Sequence, residues 1–158
     1  MMKGREITIV IVEDDDGDIK TVRRAFAQAG VVNPLVRAVD GVQALEILRG
    51  TEVRGPLQPP YIILVDINMP RMNGLDFVRA LREDPALKGS IVFMLTTSKH
   101  DADKLAAYEL NVAGYILKDH AGTEFLDFVQ LIGGYTRIVE MPMGRSDAQQ
   151  AAKNSPRG

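Results

Sequence analysis

The chain contains no cysteine and no tryptophan, and only two histidines in 158 residues. Without cysteine there are no disulfides, no thiolate metal sites and no thiol nucleophile. His100 and His120 are too few for a histidine-rich metal centre, and both read as solvated loop or helix-end residues. Charge of one sign is also lacking: 19 Lys and Arg stand against 21 Asp and Glu, for a net charge of −2. That balance provides no general basic surface for nucleic acid. No apolar run approaches membrane-spanning length. Near the N-terminus, Lys3 and Arg5 precede an apolar run at 7–12 that an acidic cluster ends, which is too short for a signal peptide. The expectation is a cytoplasmic protein with no membrane partner and no direct nucleic-acid partner.

What is present is an ordinary apolar content of 46% and a charged content of 25%, enough for one globular domain with a tail. The most informative stretch is Tyr61-Ile62-Ile63-Leu64-Val65-Asp66-Ile67-Asn68-Met69-Pro70. An apolar run bounded by Pro59-Pro60 and Pro70 reads as a fully buried strand, of the kind found in parallel sheets. Asp66 then sits at the carboxyl end of that strand, the edge at which open α/β sheets hold ligands and chemistry. Taken alone, Asp66 is equally an Asp that opens a turn.

The rest of the chain repeats the pattern. Residues 7–12 are β-branched and apolar and end at Glu13-Asp14-Asp15-Asp16, where Asp15 or Asp16 can cap a helix carrying Ile19, Val22, Phe26 and Ala29. Gly30 is its stop. Residues 35–39 form a short strand. Asp40-Gly41 leads into a helix with Val42, Leu45 and Leu48 on one face, stopped by Gly50. Residues 51–60, with three prolines, are a loop. After Asp66, Asn73-Gly74 opens a helix with Leu75, Val78 and Leu81 inward, ending near Asp84-Pro85. Residues 91–95 are a strand that runs into Thr96-Thr97-Ser98-Lys99. Asp101 is positioned to cap a helix carrying Leu105, Ala106 and Leu110. Residues 114–117 are a fifth strand, ending at Lys118-Asp119, and a last helix carries Phe125, Phe128, Val129 and Ile132. Five β-α units imply an α/β fold, a doubly wound parallel sheet with helices on both faces.

Four strand ends carry polar groups after apolar runs: Glu13-Asp14, Asp66, Thr96 and Lys118. A parallel sheet brings all four to one edge. Crowded carboxylates repel, and a divalent cation with oxygen ligands relieves this. Mg²⁺ suits such a site because it takes one or two carboxylates and keeps several waters. A lysine and a hydroxyl beside it complete a phosphoryl site. With no cysteine, and no histidine at these ends, a carboxylate is the candidate nucleophile, and Asp66 can attack phosphorus to give an aspartyl phosphate. Each element has a plain alternative: the acidic run as a helix cap with solvated neighbours, Thr96 as a loop start, Lys118 as a surface charge. Their joint placement argues against four coincidences.

In order and spacing, Val10-Ile11-Val12-Glu13-Asp14-Asp15, Leu64-Val65-Asp66-Ile67-Asn68-Met69-Pro70-Arg71-Met72-Asn73-Gly74, Met94-Leu95-Thr96-Thr97-Ser98 and Gly114-Tyr115-Ile116-Leu117-Lys118 resemble the receiver domain of two-component response regulators. The resemblance implies the flavodoxin-like strand order 2-1-3-4-5, an order for which the receiver fold is itself a standard example. It also implies Asp66 as phosphoacceptor. Mg²⁺ would be held by Asp14, Asp66 and the backbone carbonyl of Asn68, with Glu13 acting through water. Thr96 and Tyr115 would be a switch pair, and Lys118 would bind the phosphoryl group. One departure is Asp119, where the family usually has Pro, often in a cis bond. That leaves the loop at 118–122 less constrained and adds a negative charge near the pocket. The Thr96-Thr97-Ser98 run, the 51–60 loop and the ending at 138–142 resemble the small regulators that partner phytochrome-type histidine kinases.

The implied function is a stand-alone response regulator that takes its phosphoryl group from a sensor histidine kinase and signals by protein–protein contact, not an enzyme in the ordinary sense. A Mg²⁺-dependent phosphatase would need a second catalytic carboxylate two residues after the nucleophile, where this chain has Asn68. A pseudo-receiver, which binds partners without being phosphorylated, would have lost groups that are all present here. The expected organisation is a receiver domain at 5–133, a C-terminal extension at 134–143 and a flexible polar tail at 144–158. Gly133-Gly134 reads as the place where the last helix ends or frays. The apolar Tyr135, Ile138, Val139 and Met141 beyond it then suggest an extended arm that joins two chains in a homodimer.

Overall fold

The structure, a computed structural model, describes residues 6–96, 100–117 and 123–138. Among the described residues ten elements alternate: β1 (Thr8–Val12), α1 (Asp16–Gln28), β2 (Leu35–Ala38), α2 (Gly41–Arg49), β3 (Tyr61–Val65), α3 (Gly74–Glu83), β4 (Ile91–Thr96), α4 (Asp101–Glu109), β5 (Gly114–Leu117) and α5 (Thr123–Ile138). The strands form one parallel sheet in the order β2-β1-β3-β4-β5. The apolar runs explain this. Strands covered on both faces must be apolar at nearly every position, and β1, β3 and β4 are buried throughout after their first residue.

Alternation along the strands divides the core in two. Ile9, Ile11, Ile62, Leu64, Phe93 and Leu95 face α1 and α5, where Phe26, Val129 and Ile132 meet them. Val10, Val12, Ile63, Val65 and Met94 face the other way, toward α2, α3 and α4, where Leu48, Phe77 and Leu81 close the second layer. Burying a side chain such as Phe77 or Leu81 completely stabilises the fold by about 1.5–3 kcal/mol relative to leaving it exposed.

The helix ends follow local chemistry. Asp15, Asp40 and Asn73 are N-caps whose side chains accept from the backbone N–H groups of Asp18, Gln43 and Asp76. α1 ends in two overlapping bonds, Gly30 N–H to the Ala27 carbonyl and Val31 N–H to the Phe26 carbonyl, and these require the positive φ of 74° that Gly30 adopts. Arg82 on α3 holds the amino-terminal edge of the sheet together. It donates to the carbonyls of Lys88, Ser90, Leu110 and Asn111 at 2.7–3.0 Å, tying the connections before β4 and β5 to one guanidinium.

Three expectations are corrected. α4 is capped by His100, not Asp101, and no side chain completes the cap. On α4, Leu105 is 62% exposed, while Ala107 is the buried residue and Ala106 and Leu110 are half-buried. α5 does not stop at Gly133-Gly134 but runs through to Ile138, so residues 134–138 are helix and not an extended arm. Tyr135 explains the continuation: it packs on the α1/α5 core and meets Phe93 edge to face at a ring distance of 6.1 Å. Residues 139–158, including the expected tail, lie outside the described residues.

Candidate functional site

β1 and β3 are adjacent, with Val12 paired to Val65, so the residues that follow each strand emerge side by side. The Asp66 N–H donates to the Val12 carbonyl at 3.1 Å, which fixes Asp66 against the end of β1. Glu13 and Asp66 are buried, at 4% and 7% exposure, and Asp14 is exposed. One carboxylate oxygen from each of Glu13, Asp14 and Asp66 lies within 4.8 Å of the others. Placing three like charges so close is unfavourable without a cation. An all-oxygen donor set, two-thirds buried and open at Asp14, fits a hard divalent ion that keeps waters.

Each member of the acidic run has its own surroundings. Glu13 turns into the site, and Asp14 lines its outer side. Asp15 caps α1, its Oδ1 accepting from the Asp18 N–H at 2.8 Å. Asp16 pairs with Arg37 at 2.6 Å. The reading of the run as a helix cap therefore holds for Asp15, while Glu13 and Asp14 join Asp66 in an acidic cluster.

The β3–α3 connection shapes the other side. Asn68 is exposed, and its N–H reaches Asp66 Oδ1 at 3.3 Å. The Gly74 N–H donates to the Ile67 carbonyl at 2.8 Å, which folds α3 back over the strand end. A Cβ at Gly74 would lie 2.2 Å from the Asp66 carbonyl oxygen, so only glycine permits this approach. Arg71, at φ 62°, sends its Nε to Asp40 Oδ2 at 2.7 Å and so ties the connection to the start of α2.

Thr96 is completely buried at the end of β4, and Tyr115 is half-buried on β5. Met94 pairs with Tyr115 and Thr96 with Leu117. Thr96 and Tyr115 therefore face the same side of the sheet, that of α3 and α4. Lys118 and Asp119 lie outside the described residues, as do Thr97, Ser98 and His120. Among the described residues expected at the site, Glu13, Asp14, Asp66, Asn68 and Thr96 are brought to the carboxyl edge of the sheet, and Tyr115 lies two residues inside it on β5. The sequence reading missed Arg37 and the Arg71–Asp40 pair. For Arg37 a signal existed, a lone cation inside the short apolar strand that borders the acidic run.

The Asp40 carboxyl is held below the usual carboxylate range, chiefly by the hydrogen bond from Arg71, and its buried position works against this. A depressed folded-state pKa contributes stability that is present above the ordinary carboxylate pKa of about 4 and lost as pH falls through the folded value. We therefore expect Asp40→Ala to cost about 1–2 kcal/mol at neutral pH through the lost helix cap alone. The gap from wild type should narrow below about pH 4. Urea unfolding of both proteins across pH checks this, and a gap that does not change with pH would contradict it.

The profile of the response regulator receiver domain matches residues 9–130. Response regulator Rcp1 of Synechocystis is 29% identical over 127 residues, spanning 80% of this chain and 86% of Rcp1. The structure of the Mn²⁺-bound form of Rcp1 superposes with a TM-score of 0.75 at 28% identity, covering 87% of this chain and 99% of that one. The phosphorylated cyanobacterial phytochrome response regulator RcpA superposes with a TM-score of 0.73 at 28% identity, covering 88% and 99%.

Proposed function

This chain belongs to the response regulator receiver domain family, and from that membership we propose that it accepts a phosphoryl group on Asp66 from a sensor histidine kinase and signals through protein–protein contact. The observation that carries the reading is the meeting of Glu13, Asp14 and Asp66 at the crossover between β1 and β3. Asp14, Asp66 and the backbone carbonyl of Asn68 would hold Mg²⁺, with Glu13 acting through water. Bound there, the ion would supply positive charge to offset the carboxylate and phosphoryl oxygens.

An Asp66 carboxylate oxygen attacks the phosphorus of the kinase phosphohistidine. The new O–P bond forms as the P–N bond breaks, and the imidazole nitrogen leaves with the electron pair and takes up a proton. Thr96 donates its hydroxyl to a phosphoryl oxygen, and Lys118 pairs with another. That contact draws Thr96 toward the phosphate and lets Tyr115 turn inward on the same face of the sheet, a two-state response to a local charge. Water later cleaves the acyl phosphate and restores the carboxylate. The relatives include a phytochrome response regulator, which supports a phytochrome-type kinase as the donor. The test is incubation with acetyl phosphate and Mg²⁺, followed by intact mass. We expect a gain of one phosphoryl group that depends on Mg²⁺. No gain under these conditions would contradict the reading.

The reading extends to a homodimer formed by the end of α5 and the residues after it. Ile138 is 82% exposed and Leu131 61% exposed on that helix, apolar surface that a second chain would cover. Light scattering should find the unphosphorylated protein dimeric at micromolar concentration and the double variant Leu131→Glu, Ile138→Glu monomeric. A monomeric wild type would refute the dimer.

A further inference from the structure

Arg37 is the one cation of β2, and it lies against the acidic run and not in solvent. Leu35, two residues earlier, packs with the α1/α5 core, so Arg37 rises from the same face of the sheet beneath the start of α1. Its guanidinium makes three bonds to three neighbouring residues. Nε donates to the Glu13 carbonyl at 3.0 Å, Nη2 to the Asp14 carbonyl at 3.1 Å and Nη1 to Asp16 Oδ1 at 2.6 Å. The Glu13 N–H meanwhile donates to the Ala38 carbonyl, so β2 holds Glu13 by both backbone groups.

We infer that Arg37 is a positioning residue for the proposed divalent-cation site: it clamps the β1–α1 loop so that the Glu13 and Asp14 side chains converge with Asp66. The inference rests on the Mg²⁺ reading of that site. By engaging the two carbonyls on its own side, Arg37 fixes the backbone orientation from which both carboxylates project. A planar fork with several donors can do this, and a lysine, with a single ammonium, holds such a loop less well. The competing effect is charge, since a cation near the site repels a divalent ion. Asp16 offsets that charge through the 2.6 Å pair, so the positioning effect outweighs it. The two effects have opposite signs. Loss of a clamp weakens Mg²⁺ binding, whereas loss of a mere positive charge tightens it.

The experiment is Mg²⁺ titration of the full chain, followed by backbone amide NMR without any phosphoryl donor, for wild type, Arg37→Met and Arg37→Lys. Arg37→Met keeps the aliphatic stem and should bind about tenfold more weakly, the scale of lost outer-shell support at metal sites. Arg37→Lys should fall between Arg37→Met and wild type. Amide exchange should quicken at 13–16 in both variants while the core stays protected. Tighter binding, or wild-type affinity in whichever variants remain folded, would overturn the clamp. A wild type whose amides at 13–16 and 66–68 do not respond to Mg²⁺ would overturn it too, by removing the site on which it rests, and so fails distinguishably from an unaltered variant.

Discussion

Asp66→Asn is expected to take up no phosphoryl group from acetyl phosphate, at any Mg²⁺ concentration and after any time at which wild type is fully labelled. The amide keeps the shape, and its oxygen can still accept from the Asn68 N–H as Asp66 Oδ1 does. What disappears is the anionic oxygen that attacks phosphorus, and a neutral amide is not a competent nucleophile here. The same substitution relieves the crowding of three carboxylates whose oxygens lie within 4.8 Å. In metal-free buffer at neutral pH the variant should therefore be more stable than wild type, by on the order of 1 kcal/mol for one like-charge contact partly screened by water. Loss of labelling together with gained stability separates a missing nucleophile from a damaged fold. Stoichiometric labelling of Asp66→Asn would move the acceptor elsewhere.

The second large effect is expected at a residue with no side chain. Gly74→Ala introduces a Cβ 2.2 Å from the Asp66 carbonyl oxygen and 2.9 Å from the Ile67 Cα. Both obstacles are backbone, so no rotamer change relieves them, and the strand end or the first turn of α3 must move. Over-packing of this kind costs about 1–3 kcal/mol, and backbone obstruction puts Gly74→Ala at the upper end. Because the displaced atoms carry Asp66 itself, labelling should slow by about 100-fold, the penalty of a shift near 1 Å at a reacting group. Urea unfolding and a labelling time course measure the two effects. Wild-type values for both would show that the close approach is not needed.

These two residues also mark how much was legible in the chain. The strands read clearly because a sheet covered on both faces leaves no room for polar residues inside β1, β3 and β4. Asp66, Glu13, Asp14 and Thr96 stood out as polar groups at the ends of such runs. Gly74 read only as part of the Asn73-Gly74 pair that opens a helix, since its close approach is to a carbonyl eight residues earlier. The Arg37 clamp and the Arg71–Asp40 pair join residues 21–31 positions apart, beyond the reach of local patterns. On α4, spacing suggested Leu105 as a core residue, but only Ala107 is buried and Leu105 is left outside.

The end of α5 was misread for an energetic reason. A glycine inside a helix costs about 1 kcal/mol relative to alanine, so a pair looks like a stop. Here Gly133 is buried, and a Cβ on it would meet Val31 at 3.1 Å, so its smallness lets α5 approach the connection after α1. Two residues further on, Tyr135 reaches Phe93, which also meets Phe128 edge to face. That ring contact and the packing of the half-buried Tyr135 on the α1/α5 core work against the cost of the glycines, and the helix runs on to Ile138.

The central claim is that a phosphoryl group is carried by Asp66, and the chain allows this to be located directly. Trypsin cleaves after Arg54 and Arg71 and releases residues 55–71, in which Asp66 is the only carboxylate side chain. The protein is labelled with acetyl phosphate and Mg²⁺ and treated with borohydride, which reduces an aspartyl phosphate to the corresponding alcohol and releases phosphate. The digest is then read by mass spectrometry. The account predicts the reduced mass in the 55–71 peptide, with the 6–20 peptide that carries Glu13 and Asp14 unchanged. Reduction in the 6–20 peptide, or none in the 55–71 peptide, would contradict it.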